Sequence, residues 1–164
     1  SSSHHNGIYE NPYTFSKDIG EQLCEMYYRV YGVETRICRF YNVYGDSQLT
    51  EGEYAAVVGI FLEQYKHNKP LTITGDGEQR RDFTHVDDIV DGMFLSMSKE
   101  FGTYELGSGV NYSINELANM FGEDYPKEYI DERVGEARET LCKKPDLLLI
   151  KNNLEDYIKG EISE

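Results

Sequence analysis

Positive charge is in short supply in this 164-residue sequence: 16 Lys and Arg stand against 30 Asp and Glu, a formal net charge of -14. Such a balance repels a polyphosphate instead of steering it in, so nucleic acid is excluded as the expected partner. Cysteine is scarce as well. Cys24, Cys38 and Cys142 lie far apart, make an odd number that rules out a full set of disulfides, and match no metal-ligand spacing; a reducing cytosol fits them. The four histidines, His4, His5, His67 and His85, form no ligand spacing either and read as surface or core residues. No apolar run approaches the roughly 20 residues needed to cross a bilayer, and the N-terminus lacks the charged and apolar regions of a signal peptide, so a soluble chain away from the membrane is expected. Internal repeats and low-complexity tracts are also missing. What remains, 39% hydrophobic residues in a chain of this length, is enough for one globular unit.

The patterning predicts alternating helices and strands. From Pro12 to about Tyr31 the apolar residues Phe15, Ile19, Leu23, Met26, Tyr27 and Val30 recur at spacings of three and four, with Pro12 suited to a first turn and Gly32 to a stop. Residues 35–40 read as a strand, and a loop through Gly45, Asp46 and Gly52 leads to a helix over 55–66 that Pro70 ends. Residues 71–74 and 81–86 read as strands around the Gly75-Asp76-Gly77 turn. Asp87 is expected to cap a helix running to Met97. Residues 104–106 form a further expected strand, and Ser113 with Glu116 makes a capping box for a helix to Phe121. Beyond Tyr125 the pattern weakens, with a last helix placed over 146–159.

The first constellation with chemistry in it is Tyr13-Thr14-Phe15-Ser16-Lys17. Residues four apart share a helical face, so the Lys17 ammonium can sit beside the Tyr13 phenol. A free tyrosine, with a pKa of about 10, is a poor base at neutral pH, and an adjacent positive charge favours its phenolate. Ser1-Ser2-Ser3 offers a hydroxyl just upstream. Taken alone, a Tyr and a Lys at this spacing are common on ordinary solvated helices. Ser1 to His5 also looks like the remains of an affinity tag, although the distance from there to Tyr13 favours a native segment.

The surroundings of that pair resemble one family. Ser1-Ser2-Ser3, Asn11-Pro12-Tyr13 through Lys17, Arg39-Phe40-Tyr41-Asn42-Val43-Tyr44-Gly45, the run from Gly75 to Asp88 that contains Arg80-Arg81-Asp82-Phe83-Thr84-His85-Val86, and Leu106-Gly107-Ser108-Gly109 occur in the order found in extended short-chain dehydrogenases. The chain is similar to the NAD-dependent epimerase/dehydratase group, UDP-glucose 4-epimerase among them, from Ser1 to about Glu136. The resemblance implies an α/β fold: the C-terminal part of a Rossmann-type doubly wound sheet with a small α/β substrate-binding region. Residues 1–50 would be a partial NAD(P)-binding core with the catalytic helix, and 51–164 the substrate-binding region.

Roles follow residue by residue from the same resemblance. Tyr13 matches the catalytic tyrosine, Lys17 the lysine that holds the nicotinamide ribose and lowers the tyrosine pKa, and Ser3 the hydroxyl that orients the sugar, with Ser2 in reserve. Phe40 and Tyr41 match positions packing the nicotinamide side of the cofactor, and Asn42 a contact to the substrate diphosphate. For Phe40 a core aromatic ending a strand is an equal reading. Arg81 matches an arginine on the diphosphate, a task suited to a planar fork, while Arg80 reads as solvated. Arg133-Val134-Gly135-Glu136 resembles a late segment in which Arg133 would meet the diphosphate and Glu136 the nucleoside ribose. Asp82, Asp87 and Asp88 read as structural.

The implied activity is that of an NAD-dependent nucleotide-sugar epimerase, with NADP not excluded. The implied partners are a nucleotide-diphosphate sugar and a second copy of the chain in a homodimer. A dehydratase of the same superfamily is the alternative; these place an Asp-Glu pair after the hydroxyl residue, where this chain has His4-His5. A non-catalytic fragment is the third reading, because the strand, Gly-rich turn and helix that cradle a pyrophosphate are not found in these residues, and Gly75-Asp76-Gly77 has neither the third glycine nor a following helix.

Overall fold

Pro12 opens α1 (Pro12–Tyr31), and Gly32, in the left-handed region at φ 66°, closes it with its N–H donating to the Tyr28 carbonyl at 3.0 Å. The computed structural model describes residues 12–52, 55–132, 137–147 and 150–163. After α1 come β1 (Arg36–Phe40), β2 (Val43–Tyr44), α2 (Val57–Lys66), β3 (Leu71–Thr74), β4 (Arg80–Asp82), β5 (Thr84–His85) and α3 (Val86–Ser96). The order continues with β6 (Gly102–Leu106), β7 (Asn111–Ser113), α4 (Ile114–Asn119), β8 (Lys127–Ile130) and α5 (Leu154–Ile162). The molecule is α/β, as expected.

Among the described residues the strands pair in twos. β1 runs parallel to β6, with Arg39 opposite Glu105 and Phe40 opposite Leu106. β2 is parallel to β5, β3 is parallel to β8, and β4 is antiparallel to β7. The main apolar core lies where α2, α4 and α5 meet β3: Phe61, Leu71, Ile73, Leu117 and Ile158 are fully buried in one cluster. At α1 the situation is reversed. None of its residues is buried, and Phe15, Leu23, Tyr27 and Val30 are exposed although their spacing is that of a packed face.

Two buried carboxylates pin the C-terminal half. Asp82, with no exposed surface, accepts from the backbone N–H groups of Ser108 (2.9 Å), Gly109 (3.0 Å) and Cys142 (3.0 Å) and from the Ser108 hydroxyl (2.6 Å). Asp88 accepts from the backbone N–H groups of Lys151 and Asn152 and from the Asn152 amide. A buried charge is tolerated when its lone pairs are filled in this way, and the structural reading of both residues holds.

Four expectations change. The strand over 81–86 is two short strands broken at Phe83, because Arg80–Asp82 pairs with β7 and Thr84–His85 with β2. Asp87 does not cap α3: His85 is the cap, its Nδ1 accepting from the Asp87 N–H at 3.2 Å, while Asp87 and Asp88 stand in the first turn, where carboxylates suit the helix dipole. Instead of 146–159, the last helix is Leu154–Ile162, capped by the Asn153 side chain. The reason is that Asp146 is bonded to Glu105 of β6 in both directions at 3.0 Å and Asp88 holds Lys151 and Asn152, so the backbone at these residues is committed elsewhere. Arg80 is not simply solvated, since it donates to Asn111 and to Glu116. The capping box itself is present: the Glu116 N–H donates to Ser113 Oγ at 3.0 Å, and the Ser113 N–H to Glu116 Oε2 at 2.7 Å.

Candidate active site

Tyr13, Lys17, Gly20, Glu21 and Cys24 recur at helical spacing, and all five line one side of a cleft of about 760 Å³ between α1 and β1. Phe40 and Asn42 line the same cleft from the other side. The Lys17 ammonium lies 5.2 Å from the centre of the Tyr13 ring, so the pair implied by the spacing is formed. Tyr13 is 68% exposed, open to whatever enters the cleft.

Glu21, one turn beyond Lys17, is held by Arg39 of β1. Arg39 Nε and Nη2 donate to the two oxygens of Glu21 at 2.8 and 2.5 Å, a two-point fork. Arg39 Nη1 lies 3.5 Å from Glu105 Oε1, and the Tyr41 hydroxyl donates to Glu105 Oε2 at 3.1 Å. The hydrogen bonds to Glu21 push the Arg39 guanidinium above its ordinary value, with both carboxylates adding to the effect and burial opposing it.

A second cavity, of about 180 Å³, adjoins the first; Asn42 and Val43 line both. Its walls are apolar residues of α2 and the loop before it, Thr72 and Thr74 of β3, and the polar side chains of Gln79 and Arg81. Arg81 is buried and its Nη1 donates to the Arg80 carbonyl at 2.9 Å. Asn42 donates both amide hydrogens internally, to the Asp82 carbonyl (3.0 Å) and to Thr140 Oγ1 (2.9 Å), so a phosphate contact by that amide requires exchange of one of these bonds. Apolar walls with a few convergent polar groups are the ordinary make-up of a small-molecule site.

The structure thus gathers Tyr13, Lys17, Phe40 and Asn42 at one cleft and Arg81 at the adjoining cavity. Phe40 is 41% exposed and lines the cleft. Ser3, Ser2, Arg133 and Glu136 lie outside the described residues. Sequence reasoning passed over Glu21 and Arg39. Glu21 was within reach of it, since it extends the Tyr13–Lys17 spacing by one further turn; Arg39 was not, because no local pattern shows which helix a strand residue faces. No group of His, Cys, Asp and Glu among the described residues is arranged to hold a metal.

These features define an α/β chain of the Rossmann type with a Tyr–Lys cleft. The chain belongs to the NAD dependent epimerase/dehydratase family, whose family model matches residues 6–107. It is 34% identical over 135 residues to a putative UDP-glucose 4-epimerase of Methanocaldococcus jannaschii, covering 82% of this chain and 41% of that protein. It is also 34% identical over 145 residues to UDP-glucuronic acid decarboxylase 1 of Arabidopsis thaliana, covering 87% of this chain and 33% of that protein. The crystal structure of a UDP-glucose 4-epimerase from Thermotoga maritima with UDP-glucose superposes with a TM-score of 0.85 at 27% identity, over 99% of this chain and 59% of that one. The chain therefore spans a third to about three fifths of the length of these relatives.

Proposed function

We propose that this chain supplies the catalytic pair and the substrate pocket of an NAD-dependent nucleotide-sugar epimerase that acts on a UDP-sugar. The observation that carries the reading is the Lys17 ammonium set over the Tyr13 ring on a cleft that joins the Arg81 cavity at Asn42 and Val43. A sugar in the first cleft and a diphosphate near Arg81 would be one ligand bound across the two.

The residues fit the nicotinamide end of NAD: a lysine and a tyrosine to meet a ribose and an exposed aromatic, Phe40, to meet a ring. They do not include a Gly-rich pyrophosphate cradle. When bound, NAD supplies a reversible hydride acceptor at the sugar carbon. Tyr13 Oη takes the proton of the sugar hydroxyl and later returns it, Lys17 supports the phenolate and holds the ribose hydroxyls, and Arg81 neutralises the diphosphate. Ser3 would orient the sugar, with Arg133 and Glu136 on the diphosphate and the nucleoside ribose. On this reading 1–50 belongs functionally with the cofactor and 51–164 with the substrate, although β6 and α3 of the second part lie against β1 of the first.

The same reading takes the complete protein to be a cytoplasmic homodimer. The exposed apolar residues of α1 support the dimer, and three free cysteines support a reducing compartment. No helix among the described residues is long and apolar enough to cross a membrane. Calorimetric titration of the full-length protein with NAD and with UDP, followed by a proton NMR assay for inversion of a UDP-sugar, tests the proposal. Binding of both and inversion of the sugar supports it; failure to bind either removes it and favours a non-catalytic module.

A further inference from the structure

We propose that Arg39 is a positioning residue: by forking onto Glu21 it sets the rotation of α1 about its own axis, and through it the placement of Tyr13 and Lys17 in the cleft. The proposal rests on the epimerase reading for the role of Tyr13 and Lys17, but the strut itself is read from geometry. No residue of α1 is fully buried, and Cys24 and Met26 are only half-buried, so apolar packing holds this helix weakly. Two of its described contacts tie it to residues outside the helix. Near the C-terminal end the Tyr28 ring stacks on Phe101, with centroids 3.9 Å apart and planes 1° from parallel. Midway along α1 stands the Arg39–Glu21 fork, whose side chains are only 13% and 16% exposed.

A stacked ring tolerates sliding and rotation, whereas two parallel N–H···O bonds constrain both distance and twist. Arg39 is itself braced from the next strand, because Glu105, its cross-strand neighbour, stands 3.5 Å from Nη1 and receives the Tyr41 hydroxyl. The connection runs from β6 to β1 to Glu21, and from there one helical turn to Lys17 and two turns to Tyr13. A rotation of α1 by roughly 10° moves a group at the helix surface, about 5–6 Å from the axis, by about 1 Å. Displacement of that size in a catalytic group is enough to cost about a hundredfold in rate. Bonds from both ends of the guanidinium also mean that a lysine cannot replace it, since an ammonium lacks the fork.

The test compares Arg39→Met, Arg39→Lys, Glu21→Gln and the Arg39→Met/Glu21→Gln double variant with the unaltered full-length protein. It reads UDP affinity, NAD affinity, and kcat and KM for a UDP-sugar. The strut predicts NAD affinity weakened about tenfold and kcat lowered 10- to 100-fold in Arg39→Met. UDP affinity and KM should stay within about threefold, because the Arg81 cavity does not touch α1. Arg39→Lys should not restore NAD affinity, and the double variant should be no worse than either single one, as expected of two residues acting as a unit. Glu21→Gln leaves Arg39 paired with Glu105, so it tests the attachment even if Arg39→Met does not fold. Parallel losses of UDP and NAD affinity, or NAD affinity and kcat within twofold of the unaltered protein, overturn the proposal. A protein that binds NAD but inverts no UDP-sugar sinks the epimerase reading, and the NAD comparison still decides the strut; one that binds no NAD overturns both.

Discussion

Tyr13 and Lys17 lie on a surface helix, with Tyr13 68% exposed, so replacing either should change chemistry far more than stability. For Tyr13→Phe, turnover of the full-length protein is expected to fall by orders of magnitude with the melting temperature unchanged, and near-normal turnover would remove the phenol from the mechanism. Lys17→Ala is expected to weaken NAD as well as turnover. At Arg81, the loss of a charge-assisted contact of about 1.5–3 kcal/mol should raise the Michaelis constant for a UDP-sugar some 10- to 100-fold in Arg81→Ala, measured by initial rates. Cys142 gives a prediction of another kind. Burial, first of all, pushes its thiol up to about 11, with the nearby Glu105 and Asp82 carboxylates adding to it. Native alkylation at pH 8, read by mass spectrometry, should therefore modify Cys24 and Cys38 before Cys142. A folded value above the unfolded one, about 8.5, means that this stabilising contribution is complete below pH 8.5 and is lost as pH rises toward 11.

At the scale of elements, the caps decide where helices start, and they were only partly legible. Ser113 and Glu116 could be paired by eye because the capping box is local: its bonds join residues three apart. Ser113→Ala is expected to cost about 1 kcal/mol, measured by urea unfolding near neutral pH. The Ser113 N–H holds the Glu116 carboxyl below its ordinary value, with Arg80 contributing further. Since the folded value is the lower one, that stabilisation is present above about pH 4.3 and fades as pH falls through the folded value. In Glu116→Gln the corresponding step should vanish from the acid limb. By contrast, the cap of α3 could not be read as His85, because Asp87 is the more usual capping residue and only the backbone path out of β5 puts His85 in place. β7 and β8 escaped notice for a related reason. Asn111-Tyr112-Ser113 and Lys127-Glu128-Tyr129-Ile130 lack a clean apolar alternation, and their strand character comes from partners 29 to 33 and 56 positions away in the chain.

For the whole molecule, the distribution of burial sets the expectation. The core is gathered around Phe61, Leu71 and Leu117, while Phe94 and Met97 at the end of α3 and Tyr13, Val30 and Tyr31 on α1 are each more than half exposed. Apolar surface on that scale seeks a partner, so the isolated 164-residue polypeptide is expected to associate at micromolar concentration in sedimentation velocity, and the full-length protein to sediment as a dimer. A cooperatively melting monomer in both cases would count against the dimer and against these faces as contact surfaces. The sequence by itself determined the helices with long apolar periods, the α/β order, the capping box and the Tyr13–Lys17 pair, all of which depend on neighbours within a turn or two. Only the tertiary structure decided that the first cleft meets the Arg81 cavity at Asn42, that Asp82 and Asp88 fasten the C-terminal half, and that Arg39 holds Glu21. Each of these joins residues 18 to 64 positions apart, and which partners such a contact brings together depends on how the strands pair and the helices pack, something no local spacing encodes.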